Sequence, residues 1–438
     1  MILAPDARLP AATSRRTDDD PLRIALLTYR GKPHCGGQGV YTRQLSRTLV
    51  ELGHHVEVFS GQPYPELDGR VPLWQLPSLD IFNDHFPGRR PAFWEIKTAA
   101  DRLEVWATRL GVFSEPLAFS VRAWQELRRR ADDFDLVHDN QSLGYGILAL
   151  RRAGLPIIAT IHHPITVDRR LEMAQAKTRQ ERFGKKRWYS FTRMQTRVAR
   201  RLPRVLTVSE SSLLDICRDH RVAPDRIAVV PVGVDPDVFR PRPEVLRRDA
   251  LLVTTASADV AMKGMAYLLE ALAQLRSSGR KAELTIIGRP RADSPTLERI
   301  QLMGLSDAVR FVSDLSEAEI VNLYAEAAVA VVPSLYEGFS LPAIEAMSCA
   351  VPLVTTTGGA LPEVVGPDGE TALLVPPGDA ASLAGALQRV LDDPELGRRL
   401  GQGGRRRVLD NWSWRHTAER TVEQYRILLA GTGRRSAR

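Results

Sequence analysis

Two glutamates eight positions apart, Glu337 and Glu345, are the first candidates for chemistry in this 438-residue sequence. Glu337 follows the apolar run 328–332, whose β-branched content is typical of a strand buried in a parallel sheet. Glu345 lies on the otherwise apolar helix predicted over 341–349, with Ser340 as its candidate N-cap. A carboxylate on such a helix requires a partner or a ligand. The free N–H groups at the helix start favour an anion, above all a phosphate.

The opening of the chain predicts a second site of the same kind. Residues 23–28 predict a strand, and the sequence GGQG at 36–39 then opens a helix that ends at Gly53. A further strand is predicted at 55–60. Glycines at such a turn let a ligand approach the backbone closely. A plain tight turn explains a lone GGxG motif equally well.

Two adjacent histidines, His162 and His163, follow the strand predicted at 156–161. The carboxyl ends of parallel strands are where α/β sheets place their chemistry. Neighbouring side chains on extended backbone point in opposite directions, so the pair does not indicate a metal site. We expect one histidine to contact a ligand and the other to pack.

Segment 169–204 is the most basic part of the chain, and aromatic residues such as Phe183 and Trp188 are interleaved with its lysines and arginines. A helical stretch of this composition favours an anionic membrane surface, and a solvated face of an arginine-rich protein explains it equally well. Nucleic acid is not indicated, because the sequence has no RNP, helix-turn-helix or zinc pattern. Most aromatic residues at 74–124 are expected to pack, and a minority to line a hydrophobic acceptor pocket.

The composition is that of a soluble globular protein, with 44% hydrophobic and 26% charged residues and a net charge of +8. The three cysteines, Cys35, Cys217 and Cys349, form neither a disulfide framework nor a CxxC motif, which favours the cytoplasm. No stretch reaches the ~18 apolar residues of a membrane span. The first residues lack the basic-then-apolar order of a signal peptide.

The length predicts two domains, and the strand–helix pattern of the first half repeats in the second. Further strands are predicted at 136–139, 206–209, 251–255, 282–287, 309–312 and 352–355. The sequence therefore predicts an α/β protein with two Rossmann-like, doubly wound domains that face each other across a cleft. The predicted segments are a disordered leader at 1–20, an N-terminal domain at 21–238, a C-terminal domain at 239–410, a helix at 411–430 that crosses back to the first domain, and a tail at 431–438.

Together the motifs resemble glycosyltransferase family 4, the retaining GT-B enzymes that transfer a sugar from a nucleotide-sugar donor. The resemblance rests on GGQG at 36–39, TIHH at 160–163, VPVGVD at 230–235, AMKG at 261–264 and EGFSLPAIE at 337–345. The last motif is highly specific, and the others persuade by their order and spacing. The resemblance implies a GT-B fold, an acceptor-binding N-terminal domain, a donor-binding C-terminal domain and a UDP- or GDP-sugar donor.

The resemblance also implies which residues bind the phosphates of the donor. Lys263 matches the phosphate-binding lysine of the family. The N–H groups of Ser340 and Leu341, with Gly37 from the other domain, would add hydrogen bonds to the leaving diphosphate. No DxD-type acidic pair is present where a metal-dependent enzyme needs one, so we expect neither a metal nor another cofactor.

Further roles follow for the residues that match the family near the sugar. Glu345 would accept the ribose hydroxyls, and Glu337 would face the sugar beside the amides of Gly338 and Phe339. His162 would lie at the reacting face of the donor sugar. In the retaining mechanism that the family implies, the acceptor attacks from the leaving group's side and a phosphate oxygen takes its proton. His162, Lys263 and Glu337 are therefore the predicted catalytic residues, and no side-chain nucleophile is assigned.

One departure from the family pattern leaves alternatives open. Members usually carry an arginine about five positions before the lysine, and here Ala258 stands there. Arg289 is one substitute; otherwise donor affinity is lower, or the protein is a catalytically reduced nucleotide-sugar- or membrane-binding protein. A phosphorylase or epimerase of the same fold is a third reading. The acceptor is a glycan, a lipid or a small molecule, and a membrane lipid or lipid-linked glycan, used at the inner face of the membrane, is slightly favoured.

Overall fold

The computed structural model describes residues 20–32, 37–83, 89–256, 259–290 and 294–433. The predicted leader and Cys35 fall outside these ranges, except for Asp20. Ala258, which stands where the family has its arginine, also falls outside them.

The first half of the chain forms one parallel sheet with helices around it. Its strands are β1 (Arg23–Thr28), β2 (His55–Ser60), β3 (Leu73–Gln75), β4 (Leu136–Asn140), β5 (Ile157–Ile161), β6 (Arg204–Thr207) and β7 (Ile227–Val229). They pair in the order β3-β2-β1-β4-β5-β6-β7. The helices are α1 (Gly37–Glu51), α2 (Ala99–Arg109), α3 (Glu115–Leu127), α4 (Tyr145–Arg152), α5 (Thr166–Gln175), α6 (Arg179–Trp188), α7 (Thr192–Ala199) and α8 (Glu210–His220).

The second half forms a second parallel sheet. Its strands are β8 (Leu251–Thr255), β9 (Glu283–Ile287), β10 (Val309–Val312), β11 (Val329–Val332), β12 (Leu353–Thr356) and β13 (Leu373–Val375). They pair in the order β10-β9-β8-β11-β12-β13. The helices are α9 (Met265–Ser277), α10 (Pro295–Leu302), α11 (Glu317–Glu326), α12 (Leu341–Ser348), α13 (Leu361–Val365), α14 (Ala380–Asp392), α15 (Pro394–Asn411) and α16 (Trp414–Gly433).

Burial of apolar strands and helix faces holds each layer together. Every residue of β4 and β5 is buried, as expected for central strands covered by helices on both faces. On α1, Leu45 and Leu49 lie four positions apart on one face and are fully buried. Burying such a leucine contributes ~1.5–3 kcal/mol. The predicted fold class, an α/β protein with two doubly wound Rossmann-like domains, is confirmed.

Three strands were missing from the sequence prediction: β3, β7 and β13. Each has three residues and lies at an edge of its sheet. Three residues are too few to show a period of two, and the residues of β3 are partly exposed. Edge strands of this length are therefore found only through the partner that they pair with.

The chain passes between the two sheets twice, and the two passages run side by side. The N–H of Val234 donates to the carbonyl of Trp412 at 3.0 Å. A Cβ on Gly233 would lie 2.2 Å from the carbonyl carbon of Ser413, so only glycine allows this contact. Beyond it, α16 packs on α1 and extends to Gly433, three residues into the segment predicted as a tail.

The basic segment 169–204 falls mainly on α5, α6 and α7. None of the residues of α6 is buried, and the ring of Phe183 on this helix is 61% exposed. In α7, by contrast, Met194 and Val198 are buried in the core of the first domain. Within the described ranges, no helix combines the length and the apolar character needed to cross a membrane.

Candidate active site

The start of α1, Lys263 and Glu337 lie where the strand order of each sheet reverses, whereas His162 follows β5. In the first sheet this point is between β1 and β4, and in the second it is between β8 and β11. The start of α1 follows β1, while Lys263 follows β8 and Glu337 follows β11. Open α/β sheets bind ligands outside the carboxyl ends of their strands at such a reversal. The topology therefore places the start of α1, Lys263 and Glu337 at ligand-binding positions.

Lys263 and Glu337 are in direct contact. The ammonium of Lys263 donates to Glu337 Oε1 at 2.8 Å, and the hydroxyl of Ser334 donates to the same oxygen at 2.6 Å. Gly264 fixes the turn that carries the lysine, since its φ is +68° and a Cβ there would lie 1.9 Å from the carbonyl oxygen of Pro333. The structure thus brings together two residues that are 74 positions apart in the chain.

The loop after Glu337 lies directly on the first domain. The carbonyl of Gly338 accepts hydrogen bonds from the hydroxyls of Ser209 at 2.6 Å and Ser212 at 3.2 Å. A Cβ on Gly338 would lie 2.7 Å from the carbonyl oxygen of His162. The two predicted halves of the site are therefore in contact through backbone atoms.

Ser340 occupies the N-cap position of α12, but it does not cap the helix as predicted. Its φ of +102° turns the side chain away from the first turn, and it makes no cap hydrogen bond. The hydroxyl is buried without a partner in the part of the chain that the structure describes. The N–H groups of Ser340 and Leu341 open the helix. Beside them, the ring of Phe339 packs edge-on against Trp412 at 5.4 Å between centroids.

Glu345 lines a cavity of about 450 Å³ between the two domains. The cavity lies between α1, the segment 233–239 that connects the two domains, and α12. Leu341 also lines it. Arg43 of α1 and Glu317 of α11 form an ion pair at its rim. Burial, followed by the charge of Glu317, raises the pKa of Glu345 to about 7, and Arg43 opposes this shift. A carboxyl in this position is suited to accept hydroxyl hydrogen bonds from a ligand.

His162 is held as a neutral imidazole. Burial, and then the neighbouring His163, lowers its pKa to about 3. The amide nitrogen of Asn140 donates to the hydroxyl of Thr42, so its oxygen faces His162 Nε2 at 2.8 Å and accepts from it. The ring also lies edge-on to Tyr41 at 4.8 Å between centroids. Its second nitrogen, Nδ1, is therefore a hydrogen-bond acceptor.

His163 has a different partner. Its Nε2 lies 2.9 Å from a carboxylate oxygen of Asp168 on α5. Both adjacent histidines are only partly buried, so the expectation that one of them simply packs is too coarse. The first contacts neutral groups of the same sheet, and the second is paired with an anion.

Gly37 is the first residue of α1 and is exposed. Among the described residues, a Cβ there would meet nothing within 4 Å, so the position is accessible to a ligand. Gly39 has a structural role instead, because a Cβ there would lie 1.9 Å from the carbonyl oxygen of Lys32. The GGQG motif therefore combines a packing glycine with an accessible one.

Sequence reasoning missed the polar residues at the end of β4. Gln141 clamps both histidines: its amide oxygen accepts from the backbone N–H of His162, and its nitrogen donates to the carbonyl of His163, both at 2.8 Å. Asn140 orients the His162 ring. The signal was available, since polar residues directly after a buried strand lie at the edge where α/β sheets bind ligands.

The proposed substitute for the missing arginine is engaged elsewhere. Arg289 forms an ion pair with Asp314 and reaches Ser313 at 3.4 Å, and its side chain is 63% exposed. Within the described ranges, it forms no hydrogen bond or ion pair with Lys263. Across the described ranges, no group of three or more histidine, cysteine, aspartate or glutamate side chains is arranged to hold a metal ion.

Comparison with known families gives two matches that together span most of the chain. Residues 35–238 match the family model described as Glycosyltransferase Family 4, and residues 240–407 match Glycosyl transferases group 1. One relative, named "MMP alpha-(1->4)-mannosyltransferase", from Mycolicibacterium hassiacum, is 50% identical over 410 residues. The match covers 93% of this chain and 99% of the relative.

Solved structures agree with this assignment. Sucrose-phosphate synthase from Thermosynechococcus elongatus is 26% identical with a TM-score of 0.73, and the match covers 94% of this chain and 100% of that one. Anabaena HepE, solved with UDP and glucose, shares the fold at 16% identity and a TM-score of 0.68, covering 92% of this chain and 99% of its own. The chain therefore belongs to glycosyltransferase family 4, has the GT-B fold, and is a hexosyltransferase.

Proposed function

We propose that this enzyme transfers mannose from a UDP- or GDP-linked donor to the 4-hydroxyl of a sugar acceptor, forming an α-linkage with retention. The observation that carries the proposal is the 50% identity, over 93% of the chain, to the relative named as an alpha-(1->4)-mannosyltransferase. A (1→4) bond joins carbon 1 of the donor sugar to carbon 4 of a second sugar. The sequence slightly favoured a membrane lipid or a lipid-linked glycan; of these, this linkage favours the glycan.

The leaving diphosphate determines what the protein must supply. Negative charge grows on the phosphate oxygens as the bond to carbon 1 breaks, and fixed cations and N–H donors stabilise it. Lys263 provides the ammonium, and Ser340, Leu341 and Gly37 provide N–H groups at two helix starts. These groups support a mechanism that proceeds without a metal.

Retention follows if the acceptor oxygen attacks from the face that the diphosphate leaves. The new bond forms at carbon 1 as the bond to phosphate breaks, and the acceptor proton passes to a phosphate oxygen. His162, neutral and fixed by Asn140, orients the sugar at this face, while Glu337 holds its hydroxyls together with the amide of Gly338. No side chain forms a covalent bond to the sugar.

A matched acceptor pair tests the proposal. Purified protein is incubated with UDP- and GDP-linked mannose and glucose and with a methyl α-mannoside, in buffer containing EDTA. The control acceptor is the same mannoside methylated at its 4-hydroxyl. We expect transfer from a mannosyl donor to the free mannoside only, an α-(1→4) product by NMR, and no loss of rate in EDTA.

Other outcomes contradict specific parts of the proposal. Transfer to the 4-O-methyl acceptor overturns the position of the new bond, and a β product overturns retention. Loss of activity in EDTA that is restored by Mg²⁺ overturns metal independence. Donor binding without turnover over a broad acceptor set favours the catalytically reduced alternative.

Membrane association is a separate proposal, supported by α6. The helix exposes Phe183 and Trp188 beside Lys185, Lys186 and Arg187. Such a surface lies well on anionic headgroups. Flotation with phosphatidylglycerol vesicles is expected to carry the protein at low salt and to release it at high salt. If it remains unbound at low salt, this surface has no membrane role.

A further inference from the structure

The diphosphate site has less positive charge than the family pattern provides. The family arginine before Lys263 is replaced by Ala258. Lys263 itself is paired with Glu337, which offsets part of its charge. A leaving nucleoside diphosphate carries more negative charge than one shared ammonium neutralises. A second cation from another element would restore the missing charge.

We propose that His163 is this second cation and binds the donor diphosphate beside Lys263. The inference rests on the proposed function, since it assumes that a nucleoside diphosphate occupies the cleft. It assigns a ligand to a residue of the first domain that follows the matching family histidine rather than being that histidine. It also explains how the enzyme acts without the arginine.

The geometry places His163 against the donor-binding loop of the second domain. A Cβ on Gly338 would lie 3.1 Å from the Cβ of His163, so the two backbones are in close contact. The ring of Tyr336 lies 6.3 Å from the imidazole, between centroids. The charges of Lys263 and Glu337 both act on the imidazole. His163 therefore belongs to the same cleft as the ion pair.

One nitrogen of His163 remains available for a ligand. Nε2 is bonded to Asp168, and the carbonyl of His163 accepts from Gln141. Within the described residues, Nδ1 makes no hydrogen bond. A protonated imidazole anchored at Nε2 presents its second N–H as a charge-assisted donor.

The surroundings favour the protonated form. Burial lowers the pKa of His163, but the hydrogen bond and charge of Asp168 outweigh it, and the net pKa is raised above its usual value. Lys263 lowers this pKa and Glu337 raises it. Tyr336 is uncharged and donates to Asp215.

Other basic side chains near the cleft have anionic partners that leave them less suited to this role. Arg43 is paired with Glu317, and Arg218 is paired with Asp215 and Asp219. His162 is neutral, as its lowered pKa of about 3 requires. Asp168 differs from these partners, because it contacts only Nε2 of His163 and leaves Nδ1 open.

Binding of UDP and GDP, measured by calorimetry between pH 5.5 and 9, tests the inference without catalysis. The variants are His163→Gln, which removes the charge, His163→Arg, which keeps it at every pH, and Asp168→Asn, which removes its support. His55→Gln is the matched control, since His55 is exposed at the opposite end of its sheet. Thermal unfolding of each variant checks the fold.

We expect His163→Gln to weaken diphosphate binding about tenfold at low pH, the loss of one charge-assisted hydrogen bond. The ratio of wild-type to His163→Gln affinity should approach one as pH rises through the pKa of His163. In the Asp168→Asn background, the affinity advantage of histidine over glutamine at position 163 should be lost at lower pH. The affinity advantage of His163→Arg over His163→Gln should not change with pH. Taking the ratio cancels the ionisation of the nucleotide itself.

The failures are distinguishable. If the wild type binds neither UDP nor GDP, the proposed function fails. If it binds them and His163→Gln binds equally well at every pH, only the role of His163 is overturned. A loss in His163→Gln that is constant with pH and persists in His163→Arg indicates a packing role and also overturns the inference.

Discussion

Lys263 and Glu337 form an ion pair, so a diphosphate bound as we propose shares the ammonium with the carboxylate. We expect Lys263→Met to lower kcat/KM by at least ~10²-fold, since it removes a fixed charge that acts in the transition state. The matched control is Lys281→Met, because Lys281 is exposed in the same domain. Initial rates with saturating acceptor measure the effect, and the melting temperature monitors folding. A loss of less than threefold would remove Lys263 from the mechanism.

The environment of Glu345 makes the folded protein less stable at high pH. Its pKa of about 7 lies above its ordinary value of 4.5, so the folded protein retains a proton that the unfolded chain releases within this window. Stability is therefore lost as pH rises from about 4.5 to 7. Glu345→Gln removes this loss and is expected to stabilise the protein at pH 8 by on the order of 1 kcal/mol.

The same substitution should be neutral in stability at pH 4, where Glu345 is protonated in both states, and should weaken nucleotide binding. Denaturant unfolding at both pH values measures the first effect, with Glu298→Gln on the exposed face of α10 as control. If the free energy of unfolding changes with pH in the same way for wild type and Glu345→Gln, the pKa of this carboxyl is not raised by folding.

At the scale of elements, α12 begins with a strained residue. Ser340 has a φ of +102° and a buried hydroxyl without a partner in the described part of the chain. Both features cost free energy and are typical of ligand sites. We expect Ser340→Gly to stabilise the protein by ~0.5–1 kcal/mol while lowering activity.

Ser340→Ala separates the two causes, since it removes the hydroxyl and keeps the Cβ. If the positive φ destabilises the protein, Ser340→Gly should be more stable than Ser340→Ala, because glycine adopts this φ without strain. If the two variants are equally stable in denaturant unfolding, the backbone of Ser340 is not strained. Rates of sugar transfer should fall in both, because both lose the buried hydroxyl at the start of α12.

Regular elements were predictable because their signals are local. The helix from Met265 and the strand at 329–332 follow from apolar periods and runs within ten to fifteen residues. The positive φ of Ser340 was not predictable, because the loop conformation is set by contacts with Ser209 and Ser212 more than 120 positions away. Gln141, by contrast, was missed although its position directly after a buried strand is a local signal.

At the scale of the whole molecule, the two domains are joined across the cleft by polar contacts. The carboxylate of Glu363 accepts from the backbone N–H groups of Glu210 and Ser211, and so caps α8 from the other domain. The hydroxyl of Tyr336 donates to Asp215 at 2.6 Å. Hydrogen bonds of this kind between the two domains cannot be predicted from a single sequence. They hold the loop at 336–340 against His162 and His163.

Gly338 is the contact on which this closed arrangement depends most directly. A Cβ there would lie 2.7 Å from the carbonyl oxygen of His162, closer than such atoms approach. Gly338→Ala must therefore move the loop away from the first domain. We expect at least a tenfold loss of kcat/KM and a larger radius of gyration by X-ray scattering, with the melting temperature nearly unchanged. Gly385→Ala is the control, since Gly385 lies within α14 and a Cβ there would meet nothing within 4 Å in the described part of the chain. Wild-type activity and scattering in Gly338→Ala would show that catalysis does not require this contact.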